Sequence, residues 1–240
     1  MRYLMIVTYD GKNYSGFQKQ NSTNKTIQFE LEKAINIITK QQVECVASGR
    51  TDAGVSAYHQ PVHFDIDISL TPAKFLKSIN ALLPDEIKVL SIEPSTIHAR
   101  FSAKQKTYAY KMYISPINLP LEKDKLIISP TLNLKAMKKF CSLITGTHDF
   151  SGFKAAGGQT ENDVRTIYSA KLKKQGNNLT FYVTGNGFLY KMVRNLVGTM
   201  LKIGEDKIDI AELKHTIFST YKSTYTAKPE YLYLYDVVYK

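Results

Sequence analysis

The chain has 240 residues, enough for one large domain or two small ones. With 43% hydrophobic and 22% charged residues, its composition is normal for a folded soluble protein. Lys and Arg number 32 against 21 Asp and Glu, a formal net charge of +11. This surplus favours a polyanionic partner, with nucleic acid first and an anionic membrane second. No strongly basic amphipathic helix stands out to support the membrane.

The two cysteines and the first seven residues indicate in which cellular compartment the protein lies. Cys45 and Cys141 have apolar neighbours and form no CxxC pair, so we interpret them as buried thiols in a reducing environment. The apolar run at 1–7 meets polar residues at once and is too short for a signal peptide or a membrane span. The sequence therefore predicts a cytoplasmic protein that does not bind membranes.

The first part of the chain is predicted to run strand, helix, strands, helix, strand. The strand-like runs are 3–9, 43–47, 62–68 and 87–92. Between them, apolar residues at helical spacing predict a helix from Ile27 to Ile38 with Thr26 as N-cap. A second helix begins at Thr71-Pro72 and ends at Pro84.

The second part repeats this order. Strands are predicted at 107–114, 166–173, 179–184 and 232–239, and helices at 134–144, 193–201 and 209–218. The stretch 151–165 is predicted to be a mobile loop. Both parts have the order of a ferredoxin-like βαββαβ unit. We therefore expect an α+β fold of two such halves, 1–97 and 98–240, which form an extended, mainly antiparallel sheet with helices on one face and a central cleft.

The connection Ser48–Val55 holds an Arg, a Thr and an Asp between two glycines. Glycines allow a sharp turn and close approach of the backbone to a ligand. Taken alone, the stretch favours an ordinary turn in which Asp52 caps the next segment through its side chain. The alternative is a catalytic Asp52 exposed at the end of strands.

Other candidate chemistry is weaker. His59 and His63 have the i, i+4 spacing of helical metal ligands, but the alternation around them predicts a strand, and we expect no metal. Neither a GxxxxGK nor a GxSxG motif is present. Arg194 interrupts an apolar helix, either as a snorkelling side chain or as the partner of a carboxylate in the cleft.

Several motifs resemble, in order, those of the tRNA pseudouridine synthase A family. Gly49–Val55 resembles the family's active-site signature. Tyr9-Asp10-Gly11, with Tyr14, 16–18 and Gln20, resembles its first-strand motif. Further matches are 80–84, 98–103, Tyr108 with Tyr110, 150–153, 165–167 and 187–198. Ser56 stands where the family usually has His, and the segment 227–232 departs from its usual Ala-Pro-x-x-Gly-Leu. The resemblance covers nearly the whole chain.

The resemblance implies that uridine is isomerised to pseudouridine at positions 38–40 in the anticodon stem-loop of tRNA. The family uses no metal or organic cofactor and is typically a homodimer. By motif position, Asp52 is the nucleophile and Tyr108 stacks on the uracil, although Tyr110 lies on the same face of its strand. Arg50 and Arg194 would pair with the carboxylate or hold the flipped nucleotide. Lys154 and Arg165 are candidates for contacts with tRNA.

The residue types fit this chemistry. A carboxylate can attack uracil C6 or ribose C1′, and the sequence does not choose between the two routes. Two other functions compete with this hypothesis. A non-catalytic RNA-binding protein with two RRM-like units would stack bases on sheet tyrosines, and an Asp-dependent glycosylase would release the base.

Overall fold

The structure is a computed structural model that describes residues 1–67, 70–158 and 160–239. The chain divides into two compact units, Met1–Lys104 with Tyr233–Lys240, and Gln105–Leu232. The first unit thus continues to Lys104, whereas the sequence suggested a boundary after residue 97. The last strand belongs to the first unit.

The described residues form ten strands and five α-helices. The strands are β1 (Arg2–Tyr9), β2 (Val46–Ala47), β3 (Ser56–Asp65), β4 (Ile87–Pro94), β5 (Gln105–Ile114), β6 (Leu126–Ile128), β7 (Gly146–Asp149), β8 (Val164–Gln175), β9 (Asn178–Gly185) and β10 (Leu232–Val238). The helices are α1 (Ile27–Thr39), α2 (Pro72–Leu82), α3 (Leu134–Leu143), α4 (Met192–Gly204) and α5 (Ile210–Thr216). The predicted α+β class is confirmed. Among these helices, none is both long enough and apolar enough to cross a membrane.

The first unit has ferredoxin-like strand order. β1 lies between β4 and β3 and is antiparallel to both, and β2 is antiparallel to β3. The order β4-β1-β3-β2 is the one that two helical crossovers produce in a βαββαβ unit. The later strand β10 is parallel to the start of β3, with Tyr233 opposite Ser56. The end of the chain thus extends this sheet beside the loop that precedes β3.

Side chains of β1 alternate strictly between half-buried and buried, because one face of the sheet is covered by helices. Phe75 of α2 packs on Phe64 of β3, with ring centroids 6.1 Å apart. Both helix starts are those predicted, since the Thr26 and Thr71 side chains accept hydrogen bonds from backbone N–H groups of the first turn. Cys45 is buried in this unit.

The second unit contains β5, β9, β8 and β7 as adjacent antiparallel strands, with β6 parallel to β5. The β8–β9 hairpin turns at Gly176, whose φ is +57°, a conformation that glycine adopts readily. Helix α3 packs against β8 and α4, and Cys141 is buried. The strand predicted to close this half forms as β10 but clusters with the first unit.

Some predicted elements were wrong in extent. The strand expected at 43–47 is reduced to Val46–Ala47. The strand expected from residue 62 begins at Ser56, and residue 68, its expected end, lies outside the described residues. The short strands β6 and β7 were not predicted, since neither three nor four residues can carry a clear periodic signal.

Candidate active site

The loop that carries Asp52 is fixed at its start by β3. The Ser48 backbone N–H donates to the Pro61 carbonyl at 2.8 Å, and the Ser48 hydroxyl donates to Gln60 Oε1 at 2.6 Å. The amide of Gln60, which is fully buried, donates in turn to the Gly49 carbonyl at 2.8 Å. The buried Gln60 side chain therefore binds both the Ser48 hydroxyl and the Gly49 carbonyl.

The residue before Asp52 is held by the first strand and by the loop that follows it. The Thr51 hydroxyl lies 2.8 Å from the Tyr9 hydroxyl, and the Thr51 carbonyl accepts the Phe17 N–H at 3.2 Å. Burial raises the pKa of Tyr9 to about 12, against a smaller lowering by its hydrogen bonds to Thr51 and Gln60. The phenol is thus neutral at physiological pH and holds the Thr51 hydroxyl by a hydrogen bond.

Two glycines allow the loop to approach the first-strand motif closely. A Cβ at Gly11 would lie 2.0 Å from the Val55 carbonyl oxygen, and one at Gly16 would lie 2.7 Å from the Thr51 carbonyl oxygen. Gly16 also has φ +96°, a conformation that side chains disfavour. The two loops are therefore packed backbone to backbone, with no space for a side chain between them.

Asp52 itself sits in a turn. The Val55 N–H donates to the Asp52 carbonyl at 3.1 Å, and the Gly54 N–H donates to the Tyr14 carbonyl at 3.2 Å. The turn is thus closed by the Asp52 backbone carbonyl. The Asp52 side chain is half-buried and the neighbouring Arg50 is exposed.

Ser56, where the family usually has His, has a structural role. Its hydroxyl accepts the Gly11 N–H at 3.0 Å and lies 3.4 Å from Asp10 Oδ1. The side chain is almost completely buried. A serine here therefore ties the end of the Asp52 loop to the turn after β1.

In the second unit, the two tyrosines of β5 have different surroundings. Tyr110 is fully buried and its hydroxyl donates to the Lys228 carbonyl at 3.1 Å. The pKa of Tyr110 is raised, chiefly by burial, so its phenol stays neutral. Tyr108 is half-buried, and its ring meets that of Phe188 edge to face, with centroids 5.2 Å apart and planes at 87°. Of the two rings, Tyr108 is the one with accessible surface.

Arg194 lies in the first turn of α4 and is half-buried. Its Nε donates to the Ala227 carbonyl at 2.8 Å, while the Ala227 N–H donates to the Arg194 carbonyl at 3.1 Å. The guanidinium is thus bonded through Nε to the main chain of a distant segment. Residues that follow form a short 3₁₀ turn at Pro229–Tyr231, where the sequence departs from the family pattern. The hydrogen bond to the Ala227 carbonyl orients the Arg194 guanidinium.

The second unit also has a polar surface hollow of about 550 Å³. It is lined by Lys106, Asn162, Val164, Arg165, Asn186, Gly187 and Phe188. Phe188 therefore borders both Tyr108 and the hollow. The sequence had suggested Arg165 as an RNA contact, and Gly187 and Phe188 lie in a motif matched to the family, but no pattern indicated that the three separate lining segments meet.

The two histidines with ligand-like spacing have other partners. His59 is exposed, and its Nδ1 lies 3.2 Å from the Tyr235 carbonyl. His63 is buried and its Nδ1 accepts the Ala99 N–H at 3.1 Å. Burial lowers the pKa of His63 to about 4, with smaller contributions in the same direction from Arg2 and His98. Within 1–67, 70–158 and 160–239, no group of three or more His, Cys, Asp or Glu could hold a metal ion.

Comparison with known proteins gives consistent matches. The sequence profile of a family described as tRNA pseudouridine synthase matches residues 5–102 and 140–240. A tRNA pseudouridine synthase A of Anoxybacillus flavithermus is 41% identical over 243 residues, which cover 99% of this chain and 98% of the relative. Proteins of the same name from Geobacillus sp. (40% identical, covering 99% and 98%) and Streptococcus equi subsp. equi (38%, covering 100% and 99%) are similar over the same extent.

Among solved structures, a chain of the archaeal box H/ACA sRNP Nop10-Cbf5 complex aligns with 83% of this chain and 43% of its own length. The identity is 18% and the TM-score 0.33.

Proposed function

Because the chain belongs to the tRNA pseudouridine synthase family and is thus an isomerase, we propose that it converts uridine to pseudouridine at positions 38–40 of the anticodon stem-loop, with Asp52 as nucleophile. The reaction breaks the bond between uracil N1 and ribose C1′, rotates the base, and joins C5 to the same C1′. C5 loses a proton and N1 gains one, so atoms balance without a co-reactant. The Asp52 carboxylate assists by attack on either C6 or C1′.

The seating of the Asp52 loop is the observation that most supports this role. Gln60 and Tyr9, both buried, hold the residues on the N-terminal side of Asp52, while the first-strand motif packs against its backbone. A nucleophile benefits from such support, because a misplacement of about 1 Å can cost on the order of 100-fold in rate. Asp52 is half-buried, so the residue combines a fixed backbone with partial access to solvent.

Arg50 and Arg194 are proposed to act on the charged groups of the reaction. A guanidinium close to a carboxylate favours its ionised, nucleophilic form, and the same group can bind the flipped nucleotide. The two differ in support, since Arg194 is oriented by the Ala227 carbonyl, whereas Arg50 is exposed on the loop. Arg194 is therefore the better suited to a fixed contact, and Arg50 to one that forms with the RNA.

Tyr108 is proposed to stack on the target uracil. Taking a base out of its stack costs a few kcal/mol, and base–aromatic stacking recovers roughly 1–3 kcal/mol. The edge-to-face contact with Phe188 supports the Tyr108 ring, while Tyr110 is fully buried and bonded to Lys228. These surroundings favour Tyr108 over Tyr110.

The partner is tRNA, and the net charge of +11 supplies attraction to its phosphates that weakens steeply with salt. A homodimer and a cytoplasmic location complete the proposal. Cys45 and Cys141 are buried thiols, and burial raises the pKa of each, which suits a reducing compartment. Gel filtration with light scattering would test the dimer.

One assay separates this function from its rivals. tRNA that carries tritium at uridine C5 is incubated with wild type, Asp52→Ala and the control Asp85→Asn, whose carboxylate is exposed. A pseudouridine synthase releases tritium into water, a glycosylase releases labelled uracil, and a binding protein releases neither. We expect tritium in water from wild type and Asp85→Asn only. Chemical mapping of pseudouridine by primer extension then gives the modified positions, and modification outside 38–40 would contradict the proposed specificity.

A further inference from the structure

The polar hollow beside Phe188 has a cation fixed in its wall. One terminal nitrogen of Arg165, Nη1, donates to the Asn162 carbonyl at 3.1 Å, to Asn162 Oδ1 at 3.2 Å and to the Val164 carbonyl at 2.6 Å. These acceptors are uncharged, so they orient the guanidinium, and the nearby Asp163 carboxylate acts on it only through a weaker interaction between the two charges. A guanidinium held in this way is prepared for an anion.

The carboxylate next to this arginine is engaged elsewhere. Both oxygens of Asp163 accept hydrogen bonds from Lys154 Nζ, at 2.8 and 2.6 Å, and Oδ1 also accepts the Thr160 hydroxyl at 2.7 Å. The pKa of Asp163 is lowered, first by the Lys154 hydrogen bond and least by the charge of Arg165. Lys154, one of the two tRNA contacts guessed from the sequence, is thus paired within the protein. Arg165, the other, is not the hydrogen-bonding partner of Asp163.

The remaining walls are rigid and leave room for a ligand. The Asn186 N–H donates to the Thr166 carbonyl at 3.1 Å, and Asn186 Oδ1 accepts the Thr166 N–H at 2.9 Å. Gly187 has no side chain, and the nearest atom to a Cβ built there would be Arg165 Nε at 3.7 Å. Lys106 contributes a second cation to the lining. The hollow therefore has two cations, an amide and a glycine beside an aromatic edge.

We propose that this hollow binds a phosphodiester group of the RNA strand next to the target uridine. The inference rests on the proposed function, because Phe188 borders both the hollow and the Tyr108 ring that is to stack on the uracil. Phosphate contacts position a nucleic acid without reading its sequence. A phosphate held here would fix the strand where the target base leaves its stack, and several target positions could share it.

The test combines a protein change with a matching RNA change. Anticodon stem-loop RNA is made with one uncharged methylphosphonate linkage on either side of the target uridine, and Kd is measured for wild type and Arg165→Gln. We expect each single change to weaken binding roughly 10-fold or more, as for a hydrogen bond to a charged group. If a linkage enters the hollow, its methylphosphonate form and Arg165→Gln together should weaken binding no more than either change alone does. Losses that multiply for both linkages would overturn the proposal.

Controls keep this test independent of folding and catalysis. Lys106→Gln should show the same coupling without removing the Arg165 contacts to Asn162 and Val164, and Lys174→Gln, at an exposed position of β8, should show none. The salt slope of binding should fall by about one in Arg165→Gln. If inorganic phosphate competes in wild type while methylphosphonates cost nothing, the hollow binds free phosphate and the proposal is wrong. Tritium release by wild type tests the proposed function separately, since the coupling is measured by binding alone.

Discussion

The Tyr9 hydroxyl and the Thr51 hydroxyl lie 2.8 Å apart in the interior of the first unit, although the two residues are 42 positions apart in the sequence. Thr51 directly precedes Asp52, so a side chain of β1 helps to set the position of the proposed nucleophile. Burial raises the pKa of Tyr9 to about 12, so the phenol keeps its proton at physiological pH. The first strand thus supports the active-site loop directly.

Tyr9→Phe should weaken the reaction more than the fold. The change removes the hydrogen bond to Thr51 and the longer one from Gln60 at 3.5 Å, and we expect the free energy of unfolding to fall by about 1–2 kcal/mol. The rate of tritium release should fall about 10-fold, because Thr51 loses one of its two fixed contacts. Urea unfolding and single-turnover kinetics measure the two effects. Tyr190→Phe, at an exposed residue, is the control, and equal rates for the two variants would refute the supporting role of Tyr9.

Gly16→Ala should damage the Asp52 loop, since its Cβ would lie 2.7 Å from the Thr51 carbonyl oxygen. Gly157→Ala is a matched control, because Gly157 also has positive φ but would place its Cβ in open space. Both variants bear the cost of a left-handed residue, roughly 1–2 kcal/mol, and only Gly16→Ala adds crowding. We expect a Tm clearly lower for Gly16→Ala than for Gly157→Ala. Equal melting temperatures would show that the loops can separate without cost.

The sequence predicts the elements of this site better than their contacts. Periodicity and N-caps located the helices, and two glycines around Asp52 indicated a turn. The support from Gln60 could not be predicted, because a buried amide on a strand gives no periodic signal. The Arg194–Ala227 hydrogen bond likewise depends on how a helix and a distant segment pack. The last strand was assigned to the second half because chain order alone does not show that β10 pairs with β3.

Substitutions of the two β5 tyrosines should separate stacking from structure. Tyr108→Ala should weaken RNA binding roughly 10- to 100-fold through loss of base stacking, while Tyr108→Phe should retain the affinity. Tyr110→Phe removes the hydrogen bond to the Lys228 carbonyl and should cost about 1 kcal/mol of stability with little change in affinity. Kd measurements and urea unfolding distinguish these outcomes. A large loss of affinity in Tyr110→Phe but not in Tyr108→Ala would reverse the assignment.

His63 should make the fold sensitive to mild acid. Its pKa is lowered from 6.5 to about 4, chiefly by burial. Between these values the unfolded chain binds a proton that the folded protein does not, so the free energy of unfolding must fall as pH drops from about 6.5 to about 4. The loss from this group should level off below pH 4. Urea unfolding across this range measures the effect.

The control for the pH effect uses a second histidine. His63→Gln, whose amide oxygen can still accept the Ala99 N–H, should lose less stability over this range than wild type does. His215→Gln, at an exposed position, should follow wild type. If His63→Gln had the same pH dependence as wild type, His63 would not be the group responsible.

The most direct test of Asp52 as nucleophile is the single-turnover rate of tritium release by Asp52→Asn at saturating tRNA. Asparagine keeps the size of the side chain and removes its charge, so Kd for tRNA should stay within a few-fold of wild type. The rate should fall by at least about 1,000-fold, as expected when a nucleophile is removed. A rate within a few-fold of wild type would contradict the role of Asp52.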